Sequence, residues 1–473
     1  MYDINKRSNK LKMKFLNKIG KKILSKSNSY VFHEKQHKIY KKKYKKASNI
    51  YNEIIINRIN QNVLLLRNRV AADKKINIVF MVPGMMFIYK ELYDLFDSDP
   101  LFNVCLVLTP HIMKLNEPPT ESSKLKYYQL LDSLKKRNYN VIEGYDFSND
   151  MGIDLETNCR PDIIFYILPH MRAYPKNLTI NNLPHNILYA YIPYGEVFQP
   201  RIDKSAYNFG WVEQAWKRFC NTPEYLKTST QKSNIGSSNV IITGSARMDG
   251  LINYSPQEQD YKWIFNGSEK KKRIIWAPHH SLPRPNLPDK FVSSTFDKNY
   301  VFFYEYAKNH PEIEWVVRPH PILKEVLSTI DIDMKLDGII DENFTEEYWS
   351  KWNELPNARI HEEADYMDLF ATADAMITDC ISFTSEYLFT EKPGLYLETD
   401  GYIAEGYDKE IKKGWYCTNG SNYKKIEEFI TQVVMGENDS LKEKRKEVFN
   451  KYLNYNAGKA SESIYKYIKE TFK

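Results

Sequence analysis

The sequence predicts an α/β protein with two doubly wound units, each built on a parallel sheet, preceded by a basic helical arm. Short apolar stretches alternate with amphipathic ones along most of the chain, which is the pattern of strand–helix–strand units. The 473 residues exceed the length of one ordinary domain, so two domains plus extensions are expected. A hydrophobic content of 42% and an aromatic content of 14% are sufficient for two buried cores.

The first unit is expected between residues 71 and 262. Its first strand ends at Pro83-Gly84, a tight turn close to a helix N-terminus where a substrate can approach the backbone. The predicted strands of this unit are 76–82, 102–108, 140–142, 163–168, 186–192 and 239–243, and its first predicted helices end at residue 96 and span 122–136.

The second unit is expected between residues 263 and 440. Its predicted strands are 271–276, 314–317, 359–361, 375–377 and a strand after Pro393, and its predicted helices are 296–310, 343–354, 366–372 and 426–435. A further helical stretch spans 440–471. We expect residues 441–473 to pack back on the first unit.

The N-terminal extension, residues 1–70, carries the basic character of the chain. Residues 1–46 hold 16 Lys or Arg against Asp3 and Glu34, a balance of +14. Because the whole chain has a net charge of +7, the remainder carries 7 − 14 = −7. The positive charge therefore belongs to the arm and not to the body of the protein.

The arm also shows a helical apolar pattern, followed by a second predicted helix over 49–69. Apolar residues recur among the lysines at every fourth position, at Leu11, Phe15, Ile19 and Ile23. Such a helix can lie on an anionic membrane surface with its apolar face down. A disordered basic tail and a nucleic-acid-binding arm are the alternatives. The body's net −7 argues against nucleic acid as a partner.

Cysteine spacing and hydropathy exclude several classes of protein. The five cysteines are scattered without a Cys-x-x-Cys pair, so neither a zinc ribbon nor a disulfide framework is predicted, and a reducing cytoplasm is expected. The sequence has no run of 18 apolar residues and no apolar N-terminal core of a signal peptide, so neither a membrane-spanning helix nor a secreted protein is expected.

The stretch 374–397 contains the clearest candidate for a ligand site. It reads as a short buried strand, a polar turn, a helix and a second strand. Its polar side chains are Thr378, Asp379, Ser382, Ser385 and Glu386. The first three are helix-capping types, the serines can donate to an anion at the helix N-terminus, and the glutamate can accept from a ribose hydroxyl. The alternative is a capped helix with no ligand.

Three polar motifs follow strands of the second unit, at 278–281, 318–321 and 378–385. Since ligands bind at the carboxyl ends of parallel strands, we expect the three motifs to meet at one edge of the sheet. Arg318 and His320 can neutralise a diphosphate there. A surface ion pair and a loop histidine are the alternatives for these two residues taken singly. Taken together, the motifs favour a nucleotide-diphosphate site.

At these residues the sequence resembles the CDP-glycerol glycerophosphotransferase family, the teichoic acid primases and polymerases. The motifs that carry the resemblance are Trp-Ala-Pro-His-His at 276–280, Arg-Pro-His-Pro at 318–321, Thr-Asp-x-x-Ser at 378–382 with Glu386-Tyr387 and Glu391-Lys392-Pro393, Lys-Gly-Trp-Tyr at 413–416 and Thr-Gly-x-x-Arg-x-Asp at 243–249. The resemblance covers roughly residues 185–420. It extends to the wider GT-B fold, in which two Rossmann-like domains face a cleft.

The resemblance implies a transferase that acts on an activated nucleotide. A CDP-activated polyol or a nucleotide sugar binds the C-terminal domain, and the acceptor, lipid-linked or an oligosaccharide, approaches from the N-terminal domain. No bound metal is required when cationic side chains stabilise the leaving phosphate. His320 would contact the diphosphate with support from Arg318. The expected donor-binding residues are His279, His280, Ser281, Arg318, Thr378, Asp379, Ser382, Ser385 and Glu386.

One motif departs from the family pattern. The family carries His-Gly-Thr-Pro in the N-terminal domain, with the histidine as general base, whereas this chain has Pro193-Tyr194-Gly195-Glu196. A tyrosine titrates near pH 10 and is a poor base at neutral pH. Glu196 is therefore one candidate base and His170 the other, while Gly84, Tyr194 and Gly195 are assigned to the acceptor side.

The sequence leaves three functions open. Polyol-phosphate transfer in teichoic-acid-like or capsular polymer synthesis competes with sugar transfer by a GT-B glycosyltransferase. A catalytically silent nucleotide-binding protein is the third possibility, because Tyr194 stands where the family has its base. The expected location is the cytoplasm, at the inner face of the cell membrane.

Overall fold

A computed structural model of the chain describes residues 34–84, 86–112, 117–195, 211–233, 235–255, 263–264, 271–283, 291–329, 344–363, 365–402 and 407–473. Its internal contacts divide the chain into two units, residues 1–65 and 66–473. A long helix, α1 (Glu34–Val70), begins within residues 1–65 and includes the helix predicted over 49–69. The apolar pattern from Leu11 to Ile23 lies outside the described residues. Among those residues no helix is long and apolar enough to cross a membrane.

The first sheet of the larger unit is parallel. The strands of this half of the chain are β1 Ile76–Pro83, β2 Phe102–Thr109, β3 Val141–Glu143, β4 Tyr145–Asp146, β5 Met151–Gly152, β6 Ile163–Tyr166, β7 Leu188–Tyr191, β8 Lys217–Cys220 and β9 Val240–Ile242. Among the described residues, seven of them form a sheet in the order β3-β2-β1-β6-β7-β8-β9, while β4 and β5 pair as a small antiparallel ribbon. Strand β1 lies inside the sheet, between β2 and β6, and is almost fully buried, as expected of a parallel sheet covered on both faces.

Helices alternate with these strands. They are α2 Lys90–Asp97, α3 Glu121–Lys136, α4 Leu155–Asn158, α5 Pro223–Lys232 and α6 Asp249–Ile252. Thr120 caps α3, because its hydroxyl accepts from the Ser123 N–H at 3.2 Å. The capped helix places Lys126 on the side of the cleft, as described below.

The second sheet is also parallel. Its strands are β10 Lys272–Ala277, β11 Ile313–Val317, β12 Ala358–Ile360, β13 Ala375–Thr378, β14 Gly394–Glu398 and β15 Tyr416–Asn419. Within the described chain their order is β12-β11-β10-β13-β14-β15. Strand β10 lies between β11 and β13, so the strand order reverses on either side of it. This topological switch point is where ligands bind in open parallel sheets.

The second half of the chain is largely helical between its strands. The helices are α7 Phe296–Asn309, α8 Leu323–Thr329, α9 Phe344–Glu354, α10 Met367–Thr372, α11 Ile381–Tyr387, α12 Tyr407–Ile411, α13 Tyr423–Glu428, α14 Lys442–Tyr452 and α15 Ala460–Phe472. A π-helical stretch, Phe429–Met435, continues α13. The last helix, α15, packs on the first sheet: the Tyr465 ring contacts Phe96 and Phe102, and its hydroxyl donates to Asp99 at 2.5 Å.

The parallel α/β architecture predicted from sequence is confirmed. Two strands were not predicted, and one predicted helix is corrected. Strand β8 was not predicted because it begins Lys217-Arg218; Arg218 is nevertheless 1% exposed, and its guanidinium donates to Asn239. Strand β15 was not predicted either, and only its first residue, Tyr416, belongs to the motif at 413–416. The helical stretch over 440–471 is two helices, because Asn456 and Gly458 adopt positive φ angles of 47° and 77° between them.

Candidate functional site

Three histidines meet at the carboxyl edge of the second sheet. His279 and His280 follow β10, and His320 follows β11. The two strands are direct neighbours in the sheet. The ring centroids of His279 and His280 lie 4.3 Å apart, and His320 lies 4.9 Å from the first and 4.2 Å from the second. The strand-end motifs that the sequence predicted to converge are therefore together. The third motif, after β13, reaches the same edge because β13 pairs with β10.

The hydrogen bonds of two of these rings define which nitrogen carries the proton. The Nδ1 atom of His279 accepts from the backbone N–H of Ser281 at 3.2 Å, and the Nδ1 atom of His320 accepts from the N–H of Ile322 at the same distance. A ring nitrogen that accepts a hydrogen bond carries no proton, so in the neutral ring the proton is on Nε2. Both histidines therefore present an Nε2–H donor.

Burial keeps both rings neutral. Burial, with the neighbouring His280, lowers the pKa of His279 to about 3. Burial also holds the pKa of His320 well below its ordinary value, with further contributions from His279, His280 and Arg318. The side chain of His279 is also held by the hydroxyls of Ser281 and Ser293, at 2.7 Å and 3.2 Å. Ser281, which was predicted to bind the nucleotide donor, thus holds the ring of His279 in place.

One ring nitrogen from each of His279, His280 and His320 lies within 4.8 Å of the other two, close enough to raise the question of a metal site. A metal-ligating histidine normally donates its second ring N–H to an acceptor, which leaves the coordinating nitrogen unprotonated. Here the Nδ1 atoms of His279 and His320 face backbone donors instead. This arrangement fits hydrogen-bond donation to an anion better than coordination of a cation.

Thr378 and Asp379 hold the strand ends together. The Asp379 carboxylate is 1% exposed and accepts from the backbone N–H groups of His279 and Thr295, each at 2.5 Å, and from the Thr295 hydroxyl at 2.9 Å. Burial, offset in part by these bonds, raises the pKa of Asp379 to about 6. The Thr378 hydroxyl donates to the carbonyl of Ala277 at 2.6 Å. Both side chains are thus engaged in fixing the site's backbone.

Helix α11 begins one residue later than its polar residues suggest. Cys380 is its N-cap, without a side-chain cap, and the helix ends at Tyr387. The Ser382 hydroxyl lies 3.1 Å from the Cys380 sulfur, and the Ser385 hydroxyl donates to the Ser382 carbonyl at 3.1 Å. Contact of these two serines with a phosphate stays a prediction.

Glu386 lies in a buried cluster that sequence reasoning did not foresee. The carboxylate is bidentate to Arg247, with Oε1 at 2.7 Å from Nη1 and Oε2 at 3.1 Å from Nη2. The Tyr366 hydroxyl donates to Oε2 at 2.7 Å. Burial raises the pKa of Glu386, and the two arginines Arg247 and Arg318 act against that shift. The predicted bond from Glu386 to a ribose stays a prediction.

Arg318 completes this cluster. It is 3% exposed, and its guanidinium lies 4.4 Å from the centre of the Tyr366 ring. Nη1 donates to Nδ1 of His361 at 2.7 Å and to the Glu363 carbonyl at 2.8 Å. Burial lowers the pKa of Arg318 to about 10, so it stays charged at neutral pH, and its Nε–H has no acceptor among the described residues.

The first sheet contributes the opposite wall of the site. The backbone carbonyl of Tyr194 accepts from Nη1 of Arg247. Desolvation raises the pKa of the Tyr194 phenol, so the phenol is protonated at neutral pH. A Cβ on Gly195 would lie 3.6 Å from Nη1 of Arg247, which is an ordinary contact. Gly84 is different: its φ is +49°, and a Cβ there would lie 2.9 Å from the Thr109 carbonyl.

Glu196 lies outside the described residues. His170 is described, and it has a second histidine, His111, nearby. His170 lies just after β6, and burial with the nearby Arg172 lowers its pKa. His111, which follows β2, has a pKa lowered by burial, Arg172, Lys126 and His170. A signal for His111 is present in the sequence, because Thr-Pro-His directly follows an apolar strand.

Lys126 relates these two sets of histidines. Its ammonium donates to the carbonyl of Pro321 at 3.5 Å, and its charge lowers the pKa of both His111 and His320. The histidines of the first sheet and those of the second therefore face a common cleft. The sequence could not have linked them, because Lys126 is one of many exposed-type lysines on an amphipathic helix.

The chain is similar to known proteins in sequence and in fold. A model of the family described as CDP-Glycerol:Poly(glycerophosphate) glycerophosphotransferase matches residues 214–470. No curated protein matches the sequence.

Two solved structures illustrate the similarity of fold. UDP-GlcNAc 2-epimerase from Neisseria meningitidis, bound to UDP-GlcNAc, is 14% identical with a TM-score of 0.51, over 84% of this chain and 99% of that chain. The wall teichoic acid polymerase TagF is 15% identical with a TM-score of 0.51, over 91% of this chain and 98% of the polymerase chain. At such identities the likeness concerns the fold, and it is the GT-B fold.

Proposed function

Since the chain belongs to the CDP-glycerol:poly(glycerophosphate) glycerophosphotransferase family, we propose that this transferase moves a polyol-phosphate group from a CDP-activated polyol, most simply CDP-glycerol, to an acceptor hydroxyl. The acceptor in this proposal is a lipid-linked or oligosaccharide chain of a teichoic-acid-like or capsular polymer. The family gives the class of reaction. The donor and the acceptor are part of the proposal.

One observation carries the proposal: two buried guanidinium groups lie beside two neutral histidine N–H donors. The cluster of Arg247, Arg318, Tyr366 and Glu386 contains two guanidinium groups and a single carboxylate. Next to it, His279 and His320 present neutral N–H donors. A diphosphate would accept those hydrogen bonds and would be attracted by the guanidinium charge of Arg318.

The proposed reaction is an in-line displacement at phosphorus. The acceptor oxygen forms a bond to the polyol-bearing phosphorus, the bond from that phosphorus to the bridging oxygen breaks, and CMP leaves with the electron pair. His320 and Arg318 stabilise the charge that develops on the leaving phosphate. Because the two histidines are already neutral, they donate without first losing or gaining a proton.

A base must take the proton of the acceptor hydroxyl. His170 and its neighbour His111 are both held neutral by burial and nearby cations, so each can accept a proton at pH 7. Glu196 remains a candidate from the sequence. The Tyr194 phenol, with its raised pKa, is the least suited of the group.

We propose that no bound metal takes part. The tautomers of His279 and His320 suit anion binding, and the arginines supply the positive charge that a divalent cation would otherwise provide. Transfer should therefore persist at full rate in EDTA. A rate that falls in EDTA and returns with Mg²⁺ or Mn²⁺ would contradict this part of the proposal.

The organisation of the chain is part of the same proposal. Residues 71–262 would bind the acceptor and 263–440 the donor. Of residues 441–473, which were expected to pack back on the first half, α15 does so against Phe96 and Phe102. The expectation is wrong for α14, because its Phe449 packs on Phe389 of the second half. Residues 1–70 form the extension, and residues 1–46 would hold the protein on the anionic inner face of the cell membrane.

The test measures ligand-dependent thermal stability and then product. CMP, CDP, UDP, GDP and CDP-glycerol are added to the purified protein, because a ligand that binds the native state raises the midpoint with the logarithm of its concentration. We expect shifts with cytidine nucleotides only, and CMP release from CDP-glycerol when an acceptor is present. Shifts with UDP or GDP alone would assign the protein to sugar transfer. Donor binding without CMP release would support a silent binder.

A further inference from the structure

Arg247 joins the two sides of the cleft. It follows β9 of the first sheet, and its side chain is 6% exposed. Its Nη1 atom donates to the Tyr194 carbonyl after β7, while the same guanidinium binds Glu386 and Tyr366 of the second half of the chain. One side chain thus ties the loop that replaces the family's base motif to the helix at the donor site.

The groups that Arg247 contacts also touch the donor side. The Tyr366 hydroxyl lies between Arg247 and Glu386, and the face of the same ring carries the Arg318 guanidinium. Glu386 lies in the last turn of α11, the short helix that follows β13. The positions of Arg318, α11 and the Tyr194 backbone therefore depend on one connected set of contacts.

We propose that Arg247 is a positioning residue: it holds the Tyr194–Gly195 backbone against Glu386 and so places the acceptor-side loop over the bound donor. This inference rests on the proposed transfer reaction. Arg247 does not touch reacting atoms in this scheme. It acts through the loop, whose placement sets the distance between the acceptor hydroxyl and the donor phosphorus.

The geometry requires arginine and not simply a positive charge. The two N–H groups of one edge match the two carboxylate oxygens of Glu386, and Nη1 still reaches the Tyr194 carbonyl. A lysine ammonium is a point charge that cannot reproduce the fork. Arg247→Lys keeps the charge and removes this connection, so it separates positioning from electrostatics.

The chain contains a matched control. Arg445 is fully buried and bidentate to Asp439, with Nη1–Oδ2 at 2.7 Å and Nη2–Oδ1 at 3.1 Å. It lies on α14 and contacts neither Tyr194 nor Glu386 in the described hydrogen bonds. Arg445→Lys breaks the same kind of buried pair, so loss of stability alone affects both variants alike.

The first experiment compares the steady-state kinetics of Arg247→Lys and Arg445→Lys with CDP-glycerol and an acceptor. We expect the thermal midpoint to fall in both variants, and kcat for transfer to fall about 10²-fold in Arg247→Lys only, with the donor KM little changed. Tyr366→Phe, which keeps the ring under Arg318 and removes the hydroxyl, should lower kcat by about 5-fold. Equal kcat losses in both lysine variants would overturn the inference.

The second experiment does not depend on turnover. Hydrogen exchange by mass spectrometry follows peptides covering residues 188–195 in the wild type and both lysine variants. Faster exchange there in Arg247→Lys alone supports the proposed contact; equal exchange in both variants overturns it, whatever the activity. A wild-type protein that releases no CMP from any CDP-activated donor would count against the proposed function, and the exchange data would still decide on Arg247.

Discussion

At the scale of single residues, the neutral histidines are the most informative feature of the site. His320 accepts a backbone N–H at Nδ1 and is held neutral by burial, so its role is to donate from Nε2. We expect His320→Ala to lower the transfer rate by at least about 10²-fold, because it removes a fixed donor to the leaving phosphate. The rate of CMP release from CDP-glycerol measures this loss.

The control for this prediction is His310→Ala. His310 lies beside Glu312 at the surface and stacks on Tyr306, away from the three clustered histidines. Its replacement should leave the rate unchanged. A His320→Ala variant that folds normally and retains near wild-type turnover would remove His320 from the mechanism.

The pKa of His279 predicts how stability depends on pH. Its folded pKa is about 3, below the ordinary 6.5, so between these values the unfolded chain binds more protons than the folded protein. This group therefore lowers the free energy of unfolding as the pH falls from 7 to 5. We expect the thermal midpoint to drop over this range by less in His279→Gln than in the wild type.

Asp379 acts in the opposite direction, because its pKa is raised in the folded state to about 6. Asp379 is present in both proteins of that comparison, so the difference between their midpoints isolates the contribution of His279. An equal drop in the two proteins would show that the ring of His279 is protonated in the native state at pH 5.

Contacts of single residues were predictable from the sequence only where local motifs form them. The strand-end motifs at 278–281 and 318–321 are short and local, and the sequence was sufficient to place them at one edge. The partners of Glu386 were not predictable. Arg247 and Tyr366 lie 139 and 20 residues away from it in the sequence, and nothing in their local sequence indicates the contact. The hydrogen bond from the Thr295 N–H to Asp379 was not predicted for the same reason, because the two residues are 84 positions apart in the sequence.

At the scale of secondary-structure elements, Asp379 fixes three chain segments relative to one another. Its carboxylate connects the end of β13 with the segment after β10 and with Thr295 before α7. We expect Asp379→Ala to lower the free energy of unfolding by about 3 kcal/mol, because it leaves two buried N–H groups without an acceptor. Urea denaturation at pH 7 measures the change.

Asp374→Ala provides the comparison. Asp374 accepts a single backbone hydrogen bond, from Arg273 at 2.9 Å, before the same strand. Its loss should cost clearly less than the loss of Asp379. If the two variants lose the same stability while only Asp379→Ala loses donor binding, Asp379 contacts the donor directly, as the sequence first suggested.

Element-scale predictions succeeded where strands were apolar and failed where they were not. The buried strands β1, β2 and β13 were predicted nearly to their ends. Strand β8 was missed because a parallel strand that begins with lysine and arginine contradicts the apolar pattern, and only the pairing of Arg218 with Asn239 allows its burial. The break between α14 and α15 depends on a backbone conformation that propensity alone does not specify.

At the scale of the whole molecule, the order of the chain explains why one site can be built from both halves. Both sheets present their carboxyl ends to the cleft, and Lys126 and Arg247 each reach from the first half into the second. The last helix returns to the first sheet through Tyr465. The two parallel α/β sheets were predictable from the alternation of apolar and amphipathic stretches. The contacts between the halves were not, because they are formed by single polar side chains.

The basic arm gives the last prediction, which concerns where the molecule works. Residues 1–46 carry +14 and the rest −7, so the intact chain should bind anionic vesicles and the chain lacking these residues should not. Sedimentation with vesicles containing phosphatidylglycerol, at low and at high salt, measures binding; neutral vesicles and duplex DNA are the controls. Deletion should leave transfer to a soluble acceptor intact, because every site residue named above lies beyond residue 80.

If the shortened chain still sediments with anionic vesicles, the attachment lies in the body of the protein despite its negative charge. If the intact chain binds DNA as tightly as vesicles at 150 mM salt, roughly the physiological range, the arm is a general polyanion binder and the membrane assignment is wrong.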